Sequence, residues 1–396
     1  MHLFLLTAGS RGDVVPFLAL ADRALADGHA VTLGVTREFV GLAREHVRSV
    51  VSLDGDFEEL VRAQGADPWT ALRSYRTVVK PMLEAVQRSA AEAILETRPD
   101  VVVHHPKILV AEGAAAAVGA LSAVVEIVPV LTPTREYPAA GIVSQDLGPF
   151  NRWTFTAARW GTASFQGIAR AALRDLGIDG DAKVQPDLTL CPMSPALLPR
   201  PTDWPETSHL TGPWRPQHVG DPVDEQVEAF LAGGDVVYAG FGSMATGDPE
   251  QRAREVVGGI RTAGLRALIA QGWGGMSVPE DLVGDDLLVV DQVDHAHVLS
   301  RVVAAVHHGG AGTVHAATGA GAVSVIVPFA ADQPWWGAYL SRRRLAPPPV
   351  PSRRLTAQRI AEALAEVDRF RSNVAHVADQ MRSDDGTGTA LQVLQG

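Results

Sequence analysis

The sequence predicts an α/β protein built as two doubly wound parallel-sheet domains that face each other across a cleft. Three observations carry that expectation. Short apolar runs rich in Val, Leu, Ile and Ala alternate with helical patterns, and the alternation occurs twice along the chain. The runs are near-continuous, which suits strands covered on both faces. A Pro-dense stretch, with Pro199 to Pro222 at its core, separates the two series. At 396 residues the chain is also too long for one ordinary core and comfortable for two.

The first series predicts strands at His2–Leu6, Ala30–Val35, Val50–Leu53, Val101–His104, Ala123–Val128 and Leu188–Leu190. The second predicts them at Asp235–Phe241, Arg266–Ala270, Leu287–Val290, Ala304–His307 and Val323–Val327. Phe17, Leu18, Ala21, Ala24 and Leu25 repeat at helical spacing, with Gly28 as a stop. Asp248 followed by Pro249 reads as an N-cap and first helical position, and Thr356 opens a further helix. The predicted organisation is an N-terminal domain over 1–205 and a linker over 206–224. A C-terminal domain then covers 225–380, and 381–396 form a tail or crossover helix.

Composition narrows the function classes. Hydrophobic residues at 46% and charged residues at 20% fit a globular chain and not a disordered one. A net charge of −11 argues against general nucleic-acid binding, which needs phosphate neutralisation. The single cysteine, Cys191, can form no internal disulfide and no thiolate metal cluster, which fits a reducing compartment. "MHLFLL" lacks a basic leader region, and the weakly polar stretch from Gly113 to Val125 is too short for a membrane helix. A cytoplasmic location is therefore expected.

Four turns carry chemistry. In "VVAAVHHGGAGTVHAA" a strand ends near His307. Gly309, Gly310, Ala311 and Gly312 then lead into a helix near Thr313. Glycines let the backbone approach a ligand, and helical amides favour an anion, with His308 able to donate to the same phosphate. A plain tight turn also fits. The segment has neither the GK[ST] ending of a Walker loop nor a GxGxxG pattern. In "YAGFGSM", Gly240, Gly242 and Ser243 stand at a strand end, where Ser243 donates to phosphate or caps a helix. In "TAGSRGDVVPFLAL" the loop holds Ser10, Arg11, Gly12 and Asp13, with the helix beginning near Pro16. Arg11 suits a phosphate or a solvated surface. Asp13 suits a general base or an N-cap. In "VPFAADQPWWGAYL" the pair Asp332 and Gln333 suits sugar hydroxyls, or an N-cap with Pro334 at the first helical position. Trp335 and Trp336 read as packing residues.

With these segments placed, the chain resembles the GT-B nucleotide-sugar glycosyltransferases. The likeness is to family-one enzymes of the sterol 3-beta-glucosyltransferase type and their actinobacterial natural-product relatives. "GSRGDVVPFLAL", "HHPKILVAEG", "VPVLTPTREYP", "FGSM", "GWGG", "HHGGAGT" and "PFAADQPWWG" occur in the family's order. The resemblance implies a GT-B fold of two Rossmann-like domains and an inverting transfer from a UDP- or dTDP-sugar to a hydroxyl of a hydrophobic acceptor. Asp13 falls at the catalytic base, and His105 falls where many relatives carry an Asp that orients a His. The roles of that pair are therefore expected to be exchanged. Ser10, Arg11, Gly12, Ser243, His308, Gly310, Gly312 and Thr313 fall against the donor diphosphate, and Asp332 and Gln333 at the donor sugar. Trp273, Gln292 and Val293 fall near the nucleobase, without the stacking aromatic of plant-type members.

On this reading burial raises the Asp13 pKa and helps it act as a base. The glycine turn and His308 stabilise the leaving diphosphate with no cofactor or metal. Five aromatics between Phe150 and Phe165 suggest an acceptor pocket at Trp153, Phe155 and Trp160, or a weak membrane-surface contact. Arg342 to Arg344 with Arg353 and Arg354 read as solvated faces. Expected partners are a nucleotide sugar and a hydrophobic small molecule, with no nucleic acid. The alternatives are a non-catalytic GT-B paralogue and a GT-B sugar epimerase.

Overall fold

The computed structural model describes residues 1–55, 79–179, 185–216, 224–242, 247–272 and 275–396, without the side chains of 162–164. The first half runs β1 (His2–Leu6), α1 (Arg11–Ala26), β2 (Ala30–Thr36), α2 (Val40–His46), β3 (Ser49–Leu53) and α3 (Lys80–Thr97). It continues through β4 (Val101–His104), α4 (Ala111–Val118), β5 (Leu121–Val125), α5 (Asn151–Asp175), β6 (Leu188–Cys191) and β7 (Ser208–Leu210). The second half runs α6 (Glu225–Ala232), β8 (Val236–Gly240), α7 (Pro249–Thr262), β9 (Arg266–Ala270), β10 (Leu287–Val290) and α8 (His295–Leu299). After these come β11 (Ala304–His307), α9 (Ala311–Gly319), β12 (Val323–Ile326), α10 (Gln333–Arg342), α11 (Ala357–Ala365), α12 (Asp368–Met381) and α13 (Gly386–Gln395).

Both sheets are parallel throughout. Their orders are β3-β2-β1-β4-β5-β6-β7 and β10-β9-β8-β11-β12. Strand order therefore reverses between β1 and β4 and again between β8 and β11. Register brings Leu6 level with His104, and Gly240 level with His307. The loops leaving these four strands open onto the crevices where doubly wound sheets bind ligands.

Three differences from the sequence reading stand out. Strand β7 lies within the stretch read as linker, because three residues between prolines suffice to add an edge to the sheet. Helix α1 begins at Arg11, not near Pro16, and carries Pro16 inside it. Ser10 is the N-cap, and Asp13, at the third helical position, accepts the Ser10 amide at 2.7 Å. That local closure starts the helix early, and Pro16 leaves one early carbonyl without an amide partner. Strand β5 also sits at Leu121–Val125, two residues earlier than expected, and ends before Glu126.

The two halves share one apolar core. Tyr137, Phe155, Cys191, Leu197 and Trp204 of the first half pack with Val306, Val314, Trp335 and Tyr339 of the second. Trp335 stacks on Tyr339 at 4.8 Å, and its Nε1 donates to the Pro138 carbonyl at 2.7 Å. The Ser194 amide donates to His315 Nε2 at 3.2 Å. Cys191 is buried and unpaired. Helix α13 returns to the first half, where Ala390, Leu391 and Leu394 join the core of α1 and Trp214. Among the described residues no helix is long and apolar enough to cross a membrane.

Leu391→Ala empties a fully buried position on the returning helix. It is expected to cost about 2–5 kcal/mol, read as a lower urea midpoint with an unchanged slope. A shift within error would show that α13 does not secure the first half.

Candidate active site

The first crevice is built around one carboxylate. Asp13 Oδ1 lies 3.1 Å from His105 Nε2, and Oδ2 takes the Ser10 amide at 2.7 Å, the Ser10 hydroxyl at 3.0 Å and Lys107 Nζ at 3.1 Å. His105 Nδ1 accepts the Lys107 amide at 3.2 Å, so the ring proton sits on Nε2 and points at Asp13. Burial pulls the His105 pKa down more than Asp13 lifts it, and the imidazole is neutral. Burial works to raise the Asp13 pKa. The His105 hydrogen bond, the Lys107 ammonium and the Ser10 amide outweigh it and hold the carboxyl well below the usual range. The sequence expectation of a raised Asp13 pKa is overturned, because that reading contained no donors to set against burial.

Gly9 makes this packing possible. A side chain there would meet Asp13 Oδ2 at 2.2 Å and Lys107 Nζ at 2.3 Å, and its φ of +137° disfavours any other residue.

The second crevice has the opposite character. Gly310 caps α9 and offers no side chain to its first amides. His308 lies over Gly310, where a Cβ would come within 2.6 Å of its Nε2. Its Nδ1 is buried without a partner. Burial, then the nearby His295, pushes its pKa down to about 4. His295 in turn bonds the Tyr238 hydroxyl at 2.9 Å. The Asp332 carboxylate reaches the Ala311 amide, and the other amides of the first turn together with neutral His308 are of the kind that can receive an anion.

The crevices face each other. Arg11 donates to Gln292 Oε1 at 3.3 Å across the gap. Asp332 has its pKa raised to about 6, first by burial and in smaller part by the Asp13 charge. Ala331, at φ 55°, is strained and turns Asp332 into the α10 start. Beside it lies a cavity of about 320 Å³, lined by Ile142, Ser144, Gln145, Leu147, Pro334 and Trp335 among others.

Residues 3–122 match the glycosyltransferase family 28 N-terminal domain. Sterol 3-beta-glucosyltransferases align with the whole chain, at 29% identity in Cryptococcus neoformans var. neoformans serotype D and 28% in Aspergillus terreus. The chain spans 27% and 30% of the length of those two relatives. The calicheamicin glycosyltransferase CalG4 superposes with a TM-score of 0.74 at 18% identity, covering all of this chain and 97% of its own. VinC, solved with dTDP, superposes at 0.69 and 16%, covering both chains fully. The chain has the GT-B fold.

On this GT-B frame the expected site residues fall into three groups. Asp13, His105, Ser10, Arg11 and Gly12 meet at the first crevice. His308, Gly310, Gly312 and Thr313 meet at the second, with Asp332 beside the Ala311 amide. Gln333 is buried, and its Oε1 accepts the Phe329 and Ala330 amides at 2.8 and 3.1 Å, so its carbonyl holds the turn. Val293 is half-buried in a satellite core beneath β10, while Gln292 is exposed at the gap. Ser243 and Trp273 lie outside the described residues.

The aromatic acceptor pocket is corrected. Phe155 lies in the core, whereas Trp153 and Trp160 are 70% and 78% exposed. Seven residues is two helical turns, so 153 and 160 share one face of α5, and 155 points away from it.

Two residues were missed. Lys107 stood in the quoted "HHPK" segment but carried no signal beyond its charge. Glu126 is fully buried after β5 and accepts the amides of Val130, Leu131 and Thr132 and the Thr132 hydroxyl. It shapes the loop that runs on toward the cavity.

Asp13→Asn removes the charge that four donors surround and is expected to cost about 1–3 kcal/mol at pH 7. The folded pKa of Asp13 is depressed, so its contribution is present above the ordinary carboxylate pKa and drains away as pH falls. Denaturation of both proteins at pH 7 and pH 3 should show the gap narrowing below about pH 4. A constant gap would mean that the ion pair adds nothing to stability.

Proposed function

We propose that the chain is an inverting glycosyltransferase that moves a sugar from a UDP- or dTDP-sugar to a hydroxyl of an apolar acceptor. The observation that carries this reading is the pairing of unlike crevices. The α9 start, with its glycine cap and the buried unpartnered Nδ1 of His308, faces a donor-bound Asp13 carboxylate across one cleft. The sterol glucosyltransferase relatives and the GT-B natural-product neighbours support it.

The step is a single displacement. The acceptor oxygen attacks the anomeric carbon, and its proton passes to Asp13. The bond from that carbon to the phosphate oxygen breaks, and its electron pair leaves with the nucleoside diphosphate. The α9 amides, the Thr313 hydroxyl and His308 receive the developing charge, where preorganised donors act best. Among the described residues no group of three or more His, Cys, Asp or Glu side chains is placed to hold a metal ion. Asp332 takes hydroxyls of the donor sugar, and the cavity beside it, with Ile142 and Leu147 on its rim, takes the acceptor. Asp13 is a weak base, so positioning supplies much of the rate.

Release of UDP or dTDP from a panel of nucleotide sugars, with and without acceptors, tests the reading. Asp13→Ala should lower acceptor-dependent turnover by about 100-fold or more while nucleotide affinity stays within a few-fold. Full turnover would reduce Asp13 to a helix-capping role. Turnover needing no acceptor would favour an epimerase.

The pH profile gives a second check. Ionised Asp332 accepts from sugar hydroxyls more strongly than its acid form, so kcat/KM for the donor should rise through about pH 6. Asp332→Asn should flatten that limb and lower the plateau. A limb that persists in the variant belongs to another group.

A further inference from the structure

We propose that the acceptor hydroxyl is an acidic one, a phenol or an enol, whose oxygen binds against the Lys107 ammonium beside Asp13. The inference rests on the glycosyl-transfer reading and narrows its acceptor class.

Neither member of the Asp13–His105 pair is a strong proton acceptor. Both ring nitrogens of His105 are engaged, one by the Lys107 amide and one by Asp13. Asp13 already receives four donors. A carboxylate so surrounded takes a proton even from a phenol, whose pKa is about 10, only as the oxygen bonds to the anomeric carbon. It is badly matched to a secondary alcohol, about as weak an acid as water at ~15.7. The site compensates with a cation where the acceptor oxygen must arrive. Lys107 is rooted on both sides. Its amide binds His105, and its carbonyl takes Gln87 Nε2 at 2.8 Å. Gln87 is itself buried and fixed by the Val110 amide. The side chain is about 43% exposed, and its ammonium lies 3.1 Å from Asp13. An oxygen reaching Asp13 reaches Lys107 as well, and an ammonium favours the oxygen that carries negative charge. The step balances without a co-reactant. The phenolic proton goes to Asp13, the oxygen bonds to the anomeric carbon, and the diphosphate leaves with the electron pair.

The test compares kcat/KM for substituted phenols of graded acidity with secondary alcohols of similar size, a sterol among them. Phenols should exceed alcohols by about 100-fold, the scale of one lost oxyanion donor. Lys107→Met should lower phenol rates at least tenfold more than it changes alcohol rates, so the preference collapses. Lys107→Arg should retain it. Nucleotide affinity at the wild-type value in both variants reads an intact fold. Alcohols used as fast as phenols, or an equal loss on both classes in Lys107→Met, overturns the proposal and leaves the transferase reading standing. Transfer to neither class overturns both.

Discussion

Two reversals of strand order govern this molecule. Where β1 meets β4, and again where β8 meets β11, the following helices pass to opposite faces and leave a crevice at the strand ends. Asp13 follows β1, and His105 and Lys107 follow β4. His308 follows β11, level with the end of β8. A continuous apolar core through Trp335, Tyr339, Leu197 and Tyr137 fixes the two crevices against each other. Without that shared core the two half-sites would be independent, and the contact between Arg11 and Gln292 would have no fixed length.

Both crevices hold a helix N-terminus, yet they differ in what meets it. In α1 the chain supplies its own anion, since Asp13 accepts the Ser10 amide at the helix start. In α9 the cap is a glycine with no side chain to offer. The first helix start is met by Asp13 of its own first turn, whereas at the second the Asp332 carboxylate reaches the Ala311 amide from the loop after β12. In the proposed reaction the α9 side holds the diphosphate and the Asp13 side the acceptor. Gly310 contributes twice, by offering the amides no side chain and by letting the His308 ring lie over the backbone. The two roles exclude any larger residue.

Much of this was legible in the sequence, and the reasons divide cleanly. The strands read well because buried parallel strands are continuous apolar runs; β11 and β9 fall where expected to the residue. The glycine turn after His308 leads from strand to helix as expected, because that signal is local. Strand β7 was hidden among prolines, since three residues at a sheet edge leave almost no periodicity. Phe155 and Trp153 looked alike as aromatics, and only the turn of α5 separates core from solvent. The state of Asp13 was beyond reach. Its partners come from positions 10, 105 and 107, and two of them are joined to it only by the β1–β4 pairing. A pKa set by tertiary donors cannot be read from one strand end.

The same logic separates the two carboxylates of the cleft. Asp13 and Asp332 are both partly buried, and each feels burial as a force toward neutrality. Asp13 has a cation and three further donors within 3.1 Å, and it stays ionised. Asp332 has no cation of its own among the causes of its shift, and the Asp13 charge pushes it further up. One group is therefore anionic throughout the physiological range, while the other changes charge near pH 6. In the proposed reaction this separation matches the two roles, with the permanently ionised weak base at the acceptor hydroxyl and the half-tuned carboxylate at neutral sugar hydroxyls. Donors brought to Asp332 by a ligand would offset its repulsion by Asp13.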